Sequence, residues 1–261
     1  MKLSIALVQQ VCEKGAIDHN LGFSVAAIRD AAARGVDIMA FPEANLTGYV
    51  ETDRYPRAPI AVDSAPVRHL IAATRGLPVT ALPGLVELNP AGPPYLTQLV
   101  IRNGELLGAY RKRTILDDEL GLFTPGTAAK VFRHGEIAFG IAICADLGSE
   151  QVYADAAQRG ARIVFEVAAP GLYGEQSTRN WQSGFEWWEG ECSKYLTAYS
   201  QTHGIWVAVA TQAGRTVDED FPGGAYVFAP SGERLFATPD WSPGIVSLTL
   251  DLDAKAIFPL A

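Results

Sequence analysis

Three side chains whose types suit covalent catalysis stand far apart in the chain: an acid, a cation and a thiol. Glu43 lies in Phe41-Pro42-Glu43-Ala44-Asn45-Leu46-Thr47-Gly48-Tyr49, Lys112 in Tyr110-Arg111-Lys112, and Cys144 in Gly140-Ile141-Ala142-Ile143-Cys144-Ala145-Asp146. A thiol with a reference pKa of about 8.5 is only a few per cent ionised near neutrality, so a nucleophilic Cys144 needs a base or a cation beside it. Glu43 and Lys112 can supply both. Taken singly, each has a plainer reading: a small buried hydrophobe for the cysteine, a solvated loop acid for the glutamate, a surface lysine at a strand end. The joint occurrence of the three runs is what argues for chemistry.

Each run sits at or near the end of a strand-like apolar segment. Residues 36–41 read as a strand that stops at Pro42, because proline cannot continue a ladder and restricts the residue before it. Glu43 then falls on the loop just beyond. Strands over 105–110 and 136–143 lead in the same way to Lys112 and Cys144, and loops past strand ends are where a rigid α/β scaffold presents reactive groups.

The rest of the pattern is a β-α-β opening followed by mixed pairing. A strand over 3–9 precedes a helix over 18–34 with Leu21, Val25, Ile28 and Ala32 on one stripe. A second helix starts near Ser64 and closes at Gly76. Strands follow at 79–88, 96–102 and 105–111, the last two joined by the hairpin turn Asn103-Gly104. Beyond residue 128 come strands near 130 and over 137–143, a helix over 149–160, a strand over 162–168, a long helix over 181–203 and a strand over 205–211. A hairpin at Ser231-Gly232 and a strand over 244–250 complete the chain. Along 137–144, Ile137, Phe139, Ile141 and Ile143 share one face and Ala138, Gly140, Ala142 and Cys144 the other, one side bulky and one small.

With Pro-Glu…Gly-Tyr, Tyr-Arg-Lys and a cysteine after an apolar strand in that order, the chain resembles the nitrilase (carbon-nitrogen hydrolase) superfamily along nearly its whole length. The resemblance implies a single domain over 1–261 and, with two β-rich sets of two helices each, a four-layer α-β-β-α sandwich of two mixed sheets packed face to face. It also implies roles. Glu43 takes the thiol proton, Cys144 attacks a carboxamide carbon, and Lys112 with the N–H of Ala145 holds the oxyanion. Glu119, seven residues after Lys112, matches a second glutamate that helps fix substrate and lysine. Tyr49 lines the pocket, Ala145 and Ala168 adjoin the substrate, and Asp146 ties down backbone N–H groups around the nucleophile turn. No cofactor is implied, and the minimal assembly is a homodimer. The implied activity is hydrolysis of a small non-peptide carboxamide through an acyl-thioester.

Two departures bear on substrate. Nitrile-hydrolysing branches usually carry Trp-Glu where this chain has Ala145-Asp146, which favours amides. Family members commonly continue Asp-x-x-Phe-Pro-Glu, whereas Asp146-Leu-Gly-Ser-Glu150 is one residue shorter and lacks Phe-Pro. Other readings stay open: a nitrile or N-carbamoyl hydrolase, a Cys-His hydrolase pairing Cys144 with His203 and Asp218, or a silent binding subunit. Cys192 shares a helix stripe with Phe185, Trp188, Tyr195, Leu196 and Tyr199 and reads as core. Trp181, Trp187 and Trp188 read first as packing.

Composition narrows the class. The chain of 261 residues is 48% hydrophobic with a formal charge of −8, ample for a core and unsuited to nucleic acid, whose phosphates need clustered Lys and Arg. The amino-terminal apolar run is short and broken by Ser4, Gln9 and Gln10, so it reads as a first strand and not an export signal. No apolar stretch is long enough to span a bilayer. Three cysteines without metal-type spacing and four scattered histidines predict free thiols, a cytoplasmic location and no structural metal.

Overall fold

The computed structural model describes residues 1–260, the side chain of Asp117 aside. Alternation along the first strand, Lys2–Gln9, decides the layering. Leu3, Ile5 and Leu7 point one way into the core shared with the second sheet, while Ala6 and Val8 point the other way under two helices. Every one of these side chains is fully buried, and each of the larger ones contributes about 1.5–3 kcal/mol by leaving water.

The first sheet has eight strands. In spatial order they are Ala256–Pro259, Gly244–Asp251, Lys2–Gln9, Ile38–Ala40, Thr80–Leu82, Tyr95–Arg102 and Gly84–Glu87, with Glu105–Arg111 also paired to Tyr95–Arg102. Lys2–Gln9, Ile38–Ala40 and Thr80–Leu82 run parallel and the flanking pairs antiparallel. The second sheet orders Arg234–Ala237, Ala225–Phe228, Trp206–Thr211, Ile163–Ala168, Ile137–Ile143 and Val131–His134, with its middle three strands parallel. Ile137, Phe139, Ile141 and Ile143 face Leu3, Ile5 and Leu7 across the sheet interface. Helices α1 (Ile17–Ala33) and α2 (Ala65–Ala73) cover the first sheet, and α3 (Glu150–Gln158) and α4 (Trp181–His203) the second. The result is the expected four-layer α-β-β-α sandwich.

Three local details differ from the sequence reading. The single strand expected over 79–88 is two, Thr80–Leu82 and Gly84–Glu87, because Pro83 has no N–H for the ladder. The helix expected from residue 149 is preceded by a 3-10 turn, Cys144–Gly148. The strand read over 36–41 is hydrogen-bonded only over Ile38–Ala40. The Asn103-Gly104 hairpin forms as expected, with φ of 49° and 80°, the left-handed pair that a two-residue turn demands. Among the described residues no helix is long and apolar enough to cross a membrane.

Candidate active site

Chain ends of three strands converge between the sheets. Glu43 follows Ile38–Ala40 on a loop clamped from several sides: Asn45 Oδ1 accepts from Gly84 N at 2.8 Å, Leu46 N donates to Gly84 O at 2.9 Å, and Asn45 Nδ2 donates to Ser24 Oγ of α1 at 3.0 Å. Gly84 is required here, since a Cβ would fall 2.6 Å from Ala44 N. Lys112 follows Glu105–Arg111, held by its own N–H to Leu96 O at 2.8 Å. Cys144 follows Ile137–Ile143 and takes a φ of +47°, a left-handed conformation costly for any residue with a Cβ and found where a side chain must be presented sharply.

The three groups meet. Lys112 Nζ lies 3.3 Å from Glu43 Oε1 and 2.5 Å from Glu119 Oε1, all three side chains at most 5% exposed. Glu43 accepts from Ala169 N at 3.0 Å, and the Cys144 thiol lies beside it. Glu119 is fixed in turn by the Tyr49 hydroxyl at 2.9 Å and Leu116 N at 3.2 Å. One ammonium thus serves two carboxylates in a buried site.

Burial is the largest influence on Glu43, Lys112 and Cys144. It pushes Glu43 above the usual carboxylate range, helped by Glu119 and opposed by the Lys112 ammonium. For Lys112 burial works downward, but Glu43, Cys144 and Glu119 overcome it and hold the ammonium charged. Burial also pushes the Cys144 thiol up, and Glu43 adds to this while Lys112 opposes it. A free thiolate is therefore disfavoured at rest, and a raised glutamate beside the thiol is suited to take the proton as the sulfur attacks.

Asp146 is fully buried and joins the nucleophile turn to the lysine segment. Its Oδ2 accepts from Ile143 N at 3.1 Å and the Tyr110 hydroxyl at 2.7 Å, and its Oδ1 from Thr114 N at 2.8 Å and Arg113 N at 3.2 Å. The amide of Ala145 opens the 3-10 turn, where the first N–H groups lack intrahelical partners.

A cavity of about 350 Å³ opens over these groups, lined among others by Tyr49, Lys112, Glu119, Cys144 and Ala145. Ala168 is not on its wall. That residue is fully buried within Ile163–Ala168, and Ala169 and Pro170, one and two places on, line the cavity instead. The strand ends at Ala168 as the sequence reads it, so that residue still belongs to the buried sheet and the cavity is reached only by the residues beyond it. His203 stands at the carboxyl end of α4 with Nε2 3.1 Å from Glu150 Oε1, and Asp218 pairs with Lys14 at 2.8 Å. The Cys-His arrangement is therefore not assembled. Trp187 and Trp188 line the cavity, while Trp181 stacks near Arg215.

Several contributors carry no signal in sequence. Glu191 of α4 and Glu219 of a hairpin loop reach the cavity wall, and Ala169 contributes only an amide. Glu166, fully buried with its Oε2 accepting from the Tyr153 hydroxyl at 2.6 Å, did have a signal: a lone acid inside an apolar strand. Among the described residues no group of three or more His, Cys, Asp or Glu is arranged to hold a metal.

Known proteins resemble the chain in sequence and in fold. The chain is 27% identical over 260 residues to a glutamine-dependent NAD(+) synthetase of Thermotoga maritima, covering 97% of this chain and 42% of that protein. It is 25% identical over 162 residues to an (R)-stereoselective amidase of a Pseudomonas species, covering 62% of this chain and 58% of the relative. A solved Nesterenkonia amidase of the nitrilase superfamily superposes with a TM-score of 0.79 at 25% identity, over 97% of this chain and 92% of that one. The chain spans less than half the length of the NAD(+) synthetases it matches over nearly its full extent. The profile of the carbon-nitrogen hydrolase family matches residues 4–256, and the chain belongs to that family of enzymes.

Proposed function

We propose that the protein hydrolyses the carboxamide of a small non-peptide substrate through a thioester on Cys144. The observation that carries this reading is the Lys112 ammonium held between Glu43 and Glu119 on the wall of the cavity that Cys144 lines. Glu43 takes the thiol proton as sulfur attacks the carbonyl carbon, and the oxyanion is held by Lys112 and the Ala145 N–H. Collapse of the tetrahedral species breaks the C–N bond, Glu43 returning its proton to the departing ammonia. Water, deprotonated by Glu43, then attacks the thioester, and the carboxylic acid leaves as the thiol is restored. Ala145-Asp146 supports an amide over a nitrile.

A second reading is favoured by the length of the match to glutamine-dependent synthetases: the amide is that of glutamine, and the ammonia released serves a synthetase that is a separate chain or domain. Ammonia release from aliphatic amides, glutamine, N-carbamoyl compounds and nitriles distinguishes these. Wild-type turnover of amides, with Cys144→Ala folded but inactive, is the expected result. Ammonia release persisting in Cys144→Ala refutes the nucleophile, and silence across the panel refutes hydrolysis.

A further inference from the structure

The cavity over Cys144 carries a charge pattern that amide cleavage does not require. Carboxylates of Asp118, Glu119, Glu191 and Glu219 line it, and among the described residues Lys112 is the sole cationic side chain on its wall. Lys112 already stands between two carboxylates. The lysines that pair the outer acids stand off the wall. Lys14, with its side chain 7% exposed, reaches Glu219 Oε2 at 2.8 Å from behind, and Lys194, 59% exposed, lies 3.6 Å from Glu191 and over the Tyr195 ring.

The placement of Glu219 is built into two elements. Its loop joins Ala213–Arg215 to Asp220–Pro222 and is closed by Thr216 N donating to Glu219 O at 2.8 Å. Opposite stands Gly171, where a Cβ would fall 1.8 Å from Glu219 Oε1. A side chain at 171 would displace the carboxylate from the cavity. Beside the acids, Tyr173, Trp187 and Tyr195 present aromatic surface, with Tyr173 86% exposed at the mouth. Aromatic faces attract cations, so both kinds of wall favour the same sign of ligand.

The converse holds for anions. A substrate carboxylate is best held by a bidentate arginine, and no arginine lines this cavity among the described residues. Arg179, on an adjoining cavity, is engaged by Asp220 at 2.8 Å and by the carbonyls of Leu172 and Gly174 at 2.9 and 3.1 Å.

We propose that the site selects carboxamides whose far end bears a positive charge, an ammonium or guanidinium group, and rejects those ending in a carboxylate. This rests on the amidase reading above and deepens it. The charged end lies between Glu219, Glu191 and the aromatic rim while the amide reaches Cys144.

Four compounds of nearly equal shape test it: butanamide, γ-aminobutyramide, glutaramate and glutamine. The expected order in kcat/KM places γ-aminobutyramide first and glutaramate last, roughly tenfold or more apart, with the gap shrinking as salt is raised. Glu219→Gln and Glu191→Gln should each lower the γ-aminobutyramide to butanamide ratio by about threefold, as expected for partly exposed charges, while Glu105→Gln on a hairpin away from the cavity leaves the ratio alone. If one variant fails to fold, the other still reads the ratio. Turnover of butanamide with glutaramate equal to or better than γ-aminobutyramide, or a ratio indifferent to both variants, overturns the inference and leaves the amidase reading standing. Silence on all four overturns both.

Discussion

Glu119 influences Glu43 across the Lys112 ammonium, and this fixes the pH response of the site. The buried Glu43 carboxyl is raised above its ordinary range first by burial and then in part by the Glu119 charge. Protonated Glu43 cannot take the thiol proton, so kcat/KM falls as pH drops through that raised value, and the acid limb should lie above the usual carboxylate range. Glu119→Gln removes one raising influence and should move the limb to lower pH; a limb that stays in place would detach Glu119 from the base. If Lys112 holds the oxyanion as proposed, Lys112→Ala should cut kcat by about 10²-fold or more, whereas a loss confined to KM would assign the lysine to ground-state binding. Glu43, Lys112 and Cys144 were legible in the sequence because each follows an apolar strand in a recognisable run, whereas Glu119 came only from the family resemblance. Glu219 was not legible, because nothing in Asp218-Glu219-Asp220 reveals that its hairpin docks against Gly171, and the sequence does not show that the cavity wall begins at Ala169, one residue beyond the buried Ala168.

At the scale of elements, the turn carrying Cys144 depends on a buried carboxylate. Asp146 collects three backbone amides and the Tyr110 hydroxyl, joining the strand before the nucleophile to the segment after Lys112. Burial raises the acid while these donors hold it down. Asp146→Ala leaves those donors unpaired in the interior and should destabilise the protein by about 1–3 kcal/mol, read by denaturant unfolding. It should also lower kcat, because Cys144 and Lys112 lose their shared tether; unchanged kcat in a destabilised protein would reduce Asp146 to a structural acid. Sequence periodicity located most of the strands, all four helices and the Asn103-Gly104 hairpin, since alternation and helical stripes are local, whereas the division of the strands into two packed sheets rested partly on the family resemblance. The break at Pro83 and the 3-10 turn after Ile143 were harder to see, because each follows from how a neighbouring segment approaches: Leu99 N donates to Pro83 O at 2.8 Å, and Asp146 folds back on Ile143.

For the molecule as a whole, the interior holds more acid than the reaction uses. Glu166 lies opposite Ala142 in the parallel ladder, in the layer between the second sheet and its helices, with the Tyr153 hydroxyl its sole partner and Oε1 unpaired among the described residues. Burial pushes it well above the ordinary carboxylate range, Asp146 and Glu43 adding to the effect and the Tyr153 hydrogen bond and Lys112 opposing it. A carboxyl whose folded pKa exceeds its unfolded value adds stability that is present in full below the unfolded value and is lost as pH rises through the folded one. The neutral acid suits this layer and the anion does not. Glu166→Gln keeps the shape and removes the titration, so Tm of the wild type should fall relative to the variant as pH is raised upward from the ordinary carboxylate range, each kcal/mol of difference appearing as about 2–4 °C in a chain of this size. Differential scanning calorimetry of both proteins across that range decides it, because Asp146, Glu43 and Glu219 titrate in both and largely cancel in the difference. A gap in Tm that does not change with pH would mean that Glu166 is charged throughout and paired in a way its single hydrogen bond does not account for.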